Sequence, residues 1–247
     1  MEHKPSVAVV TITANRLELI DCCKAINEQT YPVHHYLITD GIVGYDEYFQ
    51  MTKKYCSATR DVAYWPRRVS VKTPNGGSGG QKLFAAVPSL MTEDIIIMTA
   101  DDDWFKPNHV ESMVSLMVEK DLDWVYSLRS IYDKHKNFLF DDNCESLGEH
   151  PVWNGADGFA ETGSIATKTE AMCNAANAYN YMEFGADRLA YKILKQNNPK
   201  FAGTGLHTNC FRLGGNANSV SKEFLEHGNK IMQEKYPDCF PWNKCNP

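Results

Sequence analysis

The sequence has no run of about 18 apolar residues, the length that a helix needs to cross a bilayer. It also has no excess of positive charge, because 31 acidic residues outnumber 25 lysines and arginines and leave a net charge of -6. This balance argues against binding of nucleic acid or of an anionic membrane surface through a general positive field. There is no internal repeat and no recognisable linker. We therefore expect the 247 residues to form one unit with a substantial core.

The eight cysteines include no CxxC pair, so a cysteine zinc site is not expected. The first residues form a charged cluster without an apolar segment of the length found in secretion signals. We therefore expect reduced thiols and a cytoplasmic location. Cys239 and Cys245 are the one pair placed for an optional bridge.

Strand and helix patterns alternate in the first half of the chain. A β-branched run at 6–13 is followed by a helical period at 15–30 and by a second strand pattern at 31–41. This order forms a βαβ unit and predicts a parallel sheet. The pattern continues with helices at 44–58, 82–91 and 108–120, strands at 67–73, 94–100 and 123–133, and a glycine-rich loop at 74–82.

The second half is less regular. No clear period runs through 134–163, and a strand-to-helix pattern then resumes at 163–179. A strong helix is predicted at 185–197, a strand at 209–213 and a helix at 222–235. The chain is expected to be a single α/β domain with a mostly parallel sheet flanked by helices.

Polar residues gather where three predicted strands end: Thr11–Arg16, Asp40 and Asp101–Asp103. Ligands of open parallel sheets bind outside the carboxyl ends of the strands. Three adjacent carboxylates repel one another, so they need a positive partner or water. The sequence therefore predicts a pocket with carboxylates and a basic residue at its mouth. The alternative is an acidic cluster that merely favours the start of the following helix.

Four segments, in this order, carry a resemblance to a known family: VVTITANR, QTYPVHHYLITDG, PNGGSGG and DDDWFKPNHVE. They resemble the nucleotide-sugar glycosyltransferases of the GT-A fold, in particular those of family 2 with a DxD motif. The resemblance is good over residues 6–120 and thinner beyond. It implies a Rossmann-like GT-A domain in which 1–125 binds the nucleotide sugar and 126–247 binds the acceptor and carries out catalysis.

The resemblance implies a divalent cation, Mn²⁺ or Mg²⁺, bound by the aspartates. It implies that Asp101 contacts the ribose, that Asp102 binds the metal, and that Asp103 binds the metal or its waters. The other register makes Asp101 and Asp103 the DxD pair. His207 matches a third metal ligand of several such enzymes, although a lone histidine is more often structural.

The resemblance also implies a set of donor contacts. Asp40 is expected to accept a hydrogen bond from the base, uracil or another pyrimidine. Arg16 and Lys82 are candidates for the phosphates or the base edge, with an ordinary surface cation as the alternative. Thr11 and Thr13 at the first strand complete the set.

Asp187 is implied as the general base, since it begins a helix in the matching segment, and Glu183 is the second choice. The alternative is that Asp187 only favours the first helical turn, or pairs with Arg188 or Lys192 at the surface. Such a base predicts inversion at the anomeric carbon, while the fold also hosts retaining enzymes.

Glu161, Thr162 and Gly163 are implied to border the donor sugar, where a small residue would let the sugar approach the backbone. Trp153 is a candidate for stacking on a sugar ring, and a core tryptophan is the equal alternative.

Together these expectations describe a metal-dependent glycosyltransferase with a UDP-sugar donor and an unknown acceptor, which could be a saccharide, a protein or a small molecule. No nucleic acid partner is expected. A nucleotidyltransferase is the second enzyme hypothesis, but its glycine-rich signature usually follows the first strand, where this chain has TANRLEL. A non-catalytic nucleotide-sugar-binding protein is the alternative from another class.

Overall fold

The computed structural model describes residues 4–13, 16–40, 59–65, 81–153, 156–181, 185–214 and 220–243. The strands in this part of the chain are β1 Val7–Thr13, β2 His34–Asp40, β3 Thr59–Trp65, β4 Ile95–Ala100, β5 Trp104–Phe105, β6 Trp124–Tyr132, β7 Phe138–Asp141, β8 Ile165–Lys168 and β9 Phe201–Arg212. They form one sheet in the order β3-β2-β1-β4-β8-β6-β9-β5, and β7 pairs with β6 beside this path.

The helices are α1 Leu19–Asn27, α2 Gln81–Ala86, α3 His109–Lys120, α4 Thr169–Ala175, α5 Ala178–Tyr181, α6 Ala186–Asn197 and α7 Lys222–Lys235. Short 3-10 turns cover Val87–Leu90 and Thr162–Ser164. None of the helices in the described ranges has both the length and the apolar character needed to cross a bilayer.

The half of the sheet formed by β3, β2, β1 and β4 is parallel throughout. The other half is mixed, because β8 is antiparallel to both β4 and β6. As a result β6 runs in the direction of β4, and β9 is parallel to β6. The predicted α/β class with a mostly parallel sheet is confirmed. The predicted boundary at 125/126 falls inside β6, so both halves contribute to one sheet.

The central strands are buried on both faces, as strands of a doubly covered parallel sheet are. On one face Val9 and Ile97 pack with Cys22 of α1 and Met113 of α3. On the other face a larger cluster contains Trp124, which stacks on Phe201 and meets Tyr191 edge-on. The helical layers therefore leave the carboxyl end of the strands as the place where polar side chains can gather.

Most elements lie close to their predicted positions, and the differences have local causes. The strand β3 at 59–65 was not predicted, and β7 lies in the stretch predicted to be irregular. The predicted helix at 44–58, the predicted strand at 67–73 and most of the glycine-rich loop fall outside the described residues. Only the end of β9 was predicted, because Gly203 and Gly205 weaken its strand pattern.

The cysteines differ in part from the prediction of reduced thiols. Cys22, Cys144, Cys173 and Cys210 are free. Cys23 and Cys239 are disulfide-bonded, so the prediction is wrong for Cys23. Cys239 was one of the two residues expected in an optional bridge.

Candidate active site

A pocket of about 670 Å³ opens at the carboxyl end of β4, beside β6 and β9. Charged side chains dominate the polar part of its wall. Those that belong to the described residues are the carboxylates Asp102, Asp103, Glu145, Glu161 and Asp187 and the arginines Arg129, Arg188 and Arg212. The predicted pocket with carboxylates and basic residues is therefore present at the expected edge of the sheet.

Asp101 is an internal anchor of the aspartate triplet. Its side chain is fully buried, and Thr13 at the end of β1 donates a hydrogen bond of 2.7 Å to Oδ2. Arg16 lies 2.7 Å from Oδ1. Both carboxylate oxygens thus have a partner within the protein, and the predicted ribose contact of Asp101 stays a prediction. Thr13, another residue of the predicted donor set, is buried, and its hydroxyl donates to Asp101.

Arg16 is the positive partner that the three aspartates require. Its second guanidinium nitrogen donates a bond of 2.7 Å to Asp102. Burial lowers the pKa of Arg16, but the attraction of Asp101 and Asp102 outweighs burial and raises this pKa above its ordinary value. Arg16 was predicted to contact the donor, and the structure shows that it holds the triplet.

Arg212 holds the same loop from the other side. Its backbone N–H donates to Asp103 (3.0 Å), and its Nε donates to the backbone carbonyl of Asp102 (3.0 Å). The guanidinium also pairs with Asp21 at 2.9 Å and lies over the ring of Trp104. Since each hydrogen bond of a planar guanidinium fixes a direction, the loop after β4 has a defined position relative to β9.

The surroundings of Asp103 and Glu161 disfavour the charged form of both carboxylates. Burial raises the pKa of Asp103 well above its usual range, and repulsion from Glu161 and Asp102 adds to this. Burial raises the pKa of Glu161 to about 7, with Arg129 opposing the shift and Asp187 adding to it. Glu161 also accepts a short bond of 2.6 Å from the side-chain amide of Asn209. The pocket therefore brings carboxylates together at positions where burial and mutual repulsion oppose their ionisation.

Asp187 lies in the first turn of α6 and faces the same pocket. Its Oδ1 accepts a hydrogen bond of 2.9 Å from the backbone N–H of Arg188. Burial raises its pKa above the ordinary value. The side chains of Arg188 and Lys192 pair with Glu145 and Asp157 instead. Asp187 is thus a pocket carboxylate as well as a first-turn residue, and Glu183 lies outside the described residues.

Arg129 is a buried pocket residue that the sequence analysis did not single out. It donates a bond of 2.6 Å to Asp142 and one of 3.3 Å to Glu145, and it lies over the ring of Phe211. A lone arginine inside the apolar run of β6 was the available signal, because a buried charge needs a partner. The partners come from the stretch without a readable pattern, so the sequence alone could not supply them.

Three residues of the predicted donor set lie away from this pocket. Thr11 is fully buried within β1 and hydrogen-bonded to His35 at 2.9 Å, so it belongs to the core. Asp40 ends β2 in a buried position, and Lys82 is exposed in α2. Asp40 and Lys82 border segments outside the described residues, and their predicted donor contacts stay predictions.

His207 does not join the aspartates. It lies five residues before Arg212 on β9, and a strand advances about 3.3 Å per residue, so roughly 16 Å separate it from that edge. Burial lowers its pKa, and its charged neighbours are Asp141, Asp142 and Lys106. The structure therefore keeps His207 apart from Asp102 and Asp103, and the metal roles of the three residues stay predictions. Within the described ranges no three His, Cys, Asp or Glu side chains converge on one point.

The residues that were predicted to contact a sugar do not all face the pocket. Thr162 lines the pocket and shares a hydrogen bond of 2.7 Å with the hydroxyl of Tyr179. Gly163 instead faces Asn209, and a Cβ at this position would lie 3.2 Å from its amide nitrogen. The small size of Gly163 therefore serves internal packing. Trp153 is 40% exposed, which rules out the core alternative.

Comparison with known proteins gives a family and a fold. The model of the family described as glycosyl transferase family 2 matches residues 6–180. No curated protein sequence matches the chain. Among solved structures, S. aureus TarS superimposes with a TM-score of 0.62 at 10% identity and covers 93% of this chain.

Two further TarS structures, of the fragment 1-349, are similar as well. The complex with UDP-GlcNAc gives a TM-score of 0.61 at 11% identity, and the complex with UDP gives 0.62 at 11%. Each covers 93% of this chain. The chain spans 42% of the longer TarS structure and 65% and 70% of the two fragments.

Proposed function

The chain belongs to glycosyl transferase family 2, and we propose that it transfers a sugar from a nucleoside-diphosphate sugar to an acceptor hydroxyl. UDP is the proposed nucleotide, because the structurally similar TarS fragment binds UDP-GlcNAc and UDP. One observation carries the proposal: Asp102 at the end of β4 and Asp187 at the start of α6 line one pocket. The pocket thus has one carboxylate, Asp102, on the side of the leaving group and another, Asp187, on the side of the acceptor.

The pocket fits a divalent cation. Its described wall has five carboxylates against three arginines, and burial together with repulsion from neighbouring carboxylates raises the pKa of both Asp103 and Glu161. Asp102 and Asp103 would hold Mn²⁺ or Mg²⁺, which often take one or two protein carboxylates and complete their shell with substrate phosphates. The bound cation would neutralise charge on the diphosphate leaving group. This accounts for two protein ligands without a third such as His207.

Asp187 is the proposed general base. Its carboxylate takes the proton of the acceptor hydroxyl while the acceptor oxygen forms a bond to the anomeric carbon. The bond from that carbon to the diphosphate oxygen breaks, and the nucleoside diphosphate leaves with the electron pair. Attack opposite the leaving group inverts the anomeric centre.

Arg129 supports this role through its charge. Its guanidinium lies buried on the pocket wall, and its attraction lowers the pKa of Asp187 and of Glu161, against the effect of burial. Without Arg129, both carboxylates would hold a proton to higher pH. Arg129 therefore favours the ionised form of Asp187 that a base requires.

Titration calorimetry of UDP, with Mn²⁺ and then with EDTA, tests the donor site in wild type and in Asp102→Asn. We expect binding that needs both Mn²⁺ and Asp102. Glu119→Gln, an exposed carboxylate on α3, is the control for a general charge effect. UDP binding that persists in EDTA, in wild type as well as in Asp102→Asn, would remove the proposed role of the aspartates. If UDP fails to bind and GDP, CDP and dTDP fail as well, the proposed function is wrong.

A further inference from the structure

Two exposed aromatic side chains stack on each other at the rim of the pocket. The rings of Trp153 and Phe224 are stacked with centroids 5.2 Å apart and an interplanar angle of 27°. Trp153 is 40% exposed, Phe224 is 36% exposed, and Phe224 also lines the main pocket. Ser221, the N-cap of α7, accepts a bond from the backbone N–H of Phe224 and so fixes the first turn that carries it. A contiguous exposed aromatic surface beside a site is typical of binding.

The aromatic pair is continuous with the proposed catalytic base. A second cavity of about 80 Å³, lined by Trp153, adjoins the main pocket, and the two share Glu145, Phe159 and Arg188 as walls. Asp187 lines the main pocket next to Arg188. A molecule with one hydroxyl at Asp187 would therefore extend along these shared walls towards Trp153.

Contacts within the protein hold the polar groups that lie between Asp187 and Trp153. Arg188 bonds to Glu145 at 2.5 Å, and its guanidinium lies 4.1 Å from the ring centre of Phe159. Glu145 also pairs with the buried Arg129. Aromatic faces with a few fixed charged groups match a ligand that has an apolar ring face and hydroxyls around its edge.

The charge of the site favours a neutral ligand there. Arg188 is the one arginine among the described residues that line the second cavity, and it is already paired with Glu145. A phosphate group at this end of the acceptor would have to compete with Glu145 for that arginine. A flexible peptide without aromatic side chains would lose chain entropy on binding and offers no ring face to the exposed aromatic pair.

We infer that Trp153 and Phe224 form an acceptor subsite for a neutral pyranose ring, which makes the acceptor a saccharide. The ring stacks on the aromatic pair, and its hydroxyls bond to Glu145 and Arg188. This inference rests on the proposed function, since Asp187 supplies the reacting end of the same cleft.

Saturation-transfer difference NMR tests the subsite with maltose, cellobiose and N,N′-diacetylchitobiose as probes. Ribitol 5-phosphate and a serine-rich peptide represent the other acceptor classes. Spectra are recorded with and without UDP and Mn²⁺. In wild type we expect saturation of the pyranose ring protons, and at least a fivefold loss of it in Trp153→Ala and Phe224→Ala. Trp153→Phe keeps an aromatic face and should retain the signal. Phe138→Ala removes an aromatic residue that is 55% exposed on β7, and it is the matched control.

The outcomes separate this inference from the proposed function. Pyranose signals that survive in both alanine variants overturn the subsite, as do signals from ribitol phosphate or the peptide alone. Absence of pyranose signals from a wild-type protein that binds UDP overturns the subsite and leaves the proposed function standing. Loss of UDP binding in calorimetry counts against the proposed function, and the spectra without UDP still decide the saccharide site. Thermal unfolding confirms that each variant is folded.

Discussion

The guanidinium of Arg16 lies 2.7 Å from a carboxylate oxygen of Asp102. The side chain of Asp102 is 15% exposed and that of Arg16 is 36% exposed, so water screens this pair only in part. The same guanidinium also binds Asp101. The cation that the triplet needs is thus supplied by the chain itself in the absence of metal.

We predict that Arg16→Gln binds Mn²⁺ about tenfold more tightly than wild type in the absence of nucleotide. A unit charge a few ångströms from a divalent ion opposes its binding by on the order of 1–2 kcal/mol in a partly exposed site. Electron paramagnetic resonance of free Mn²⁺ measures the affinity directly. Lys120→Gln removes an equal charge from an exposed position at the end of α3 and should leave the affinity unchanged. Equal affinities of wild type and Arg16→Gln would contradict the prediction.

Glu161 should make folding less favourable as the pH rises. Its folded pKa of about 7 exceeds the ordinary value of 4.5, so the folded protein binds a proton more tightly than the unfolded chain between these values. The free energy of unfolding of wild type is therefore expected to fall by about 1–3 kcal/mol from pH 4.5 to pH 8 through this group.

Glu161→Gln should not lose stability in this way as the pH rises, because the glutamine side chain does not ionise. We expect the variant to gain stability relative to wild type as the pH increases through that window, measured by urea unfolding at pH 5 and pH 8 in EDTA. Glu170→Gln, an exposed glutamate, is the control. A stability difference that does not change with pH would show that the folded carboxyl ionises normally.

Gly148 is required by the ring of Tyr126. Its φ is +60°, and a Cβ there would lie 2.0 Å from Cζ of Tyr126. Gly148→Ala is expected to destabilise the fold by about 3 kcal/mol or more, from overpacking added to the strained φ. Gly214→Ala is the matched control, since Gly214 has a φ of +80° and no atom of the described residues lies within 4 Å of its Cβ position. We expect Gly214→Ala to lower the free energy of unfolding by only about 1 kcal/mol, measured with urea. If the two variants lose the same amount, the strained φ alone accounts for the effect at Gly148.

Asp187→Asn should reduce transfer through loss of the base. We expect kcat for sugar transfer to fall by about 10²- to 10⁴-fold, while the affinity for UDP stays within about twofold. Initial rates and calorimetry measure the two quantities. Glu119→Gln controls for a change of surface charge. Transfer at the wild-type rate in Asp187→Asn would move the role of base to another carboxylate, of which Glu161 is the one with a pKa of about 7.

Strong local patterns were enough to predict the main elements. The apolar run of β4 and the helical period of α3 and α7 are long, so competing conformations leave their apolar faces exposed. β9 was predicted only from residue 209, since its glycines disfavour a strand and its conformation comes from pairing with β6.

The position of the aspartate triplet at the binding edge of the sheet was predicted from the sequence, because the ends of parallel strands share one edge. Its partners were only partly predictable. Arg16 follows the neighbouring strand, whereas Arg212 comes from the last strand, more than 100 residues away. No local signal links residues at that separation.

The sequence by itself determined the α/β class and the edge of the sheet at which carboxylates gather, since both follow from periodicity and from where strands end. Only the tertiary structure decided which residues face one another there. It placed Arg16 on the aspartates, His207 roughly 16 Å down its strand, and Phe224 beside Trp153. The reason is that contact between distant segments depends on strand order, register and helix docking, which are set by packing of the whole core and not by any one segment.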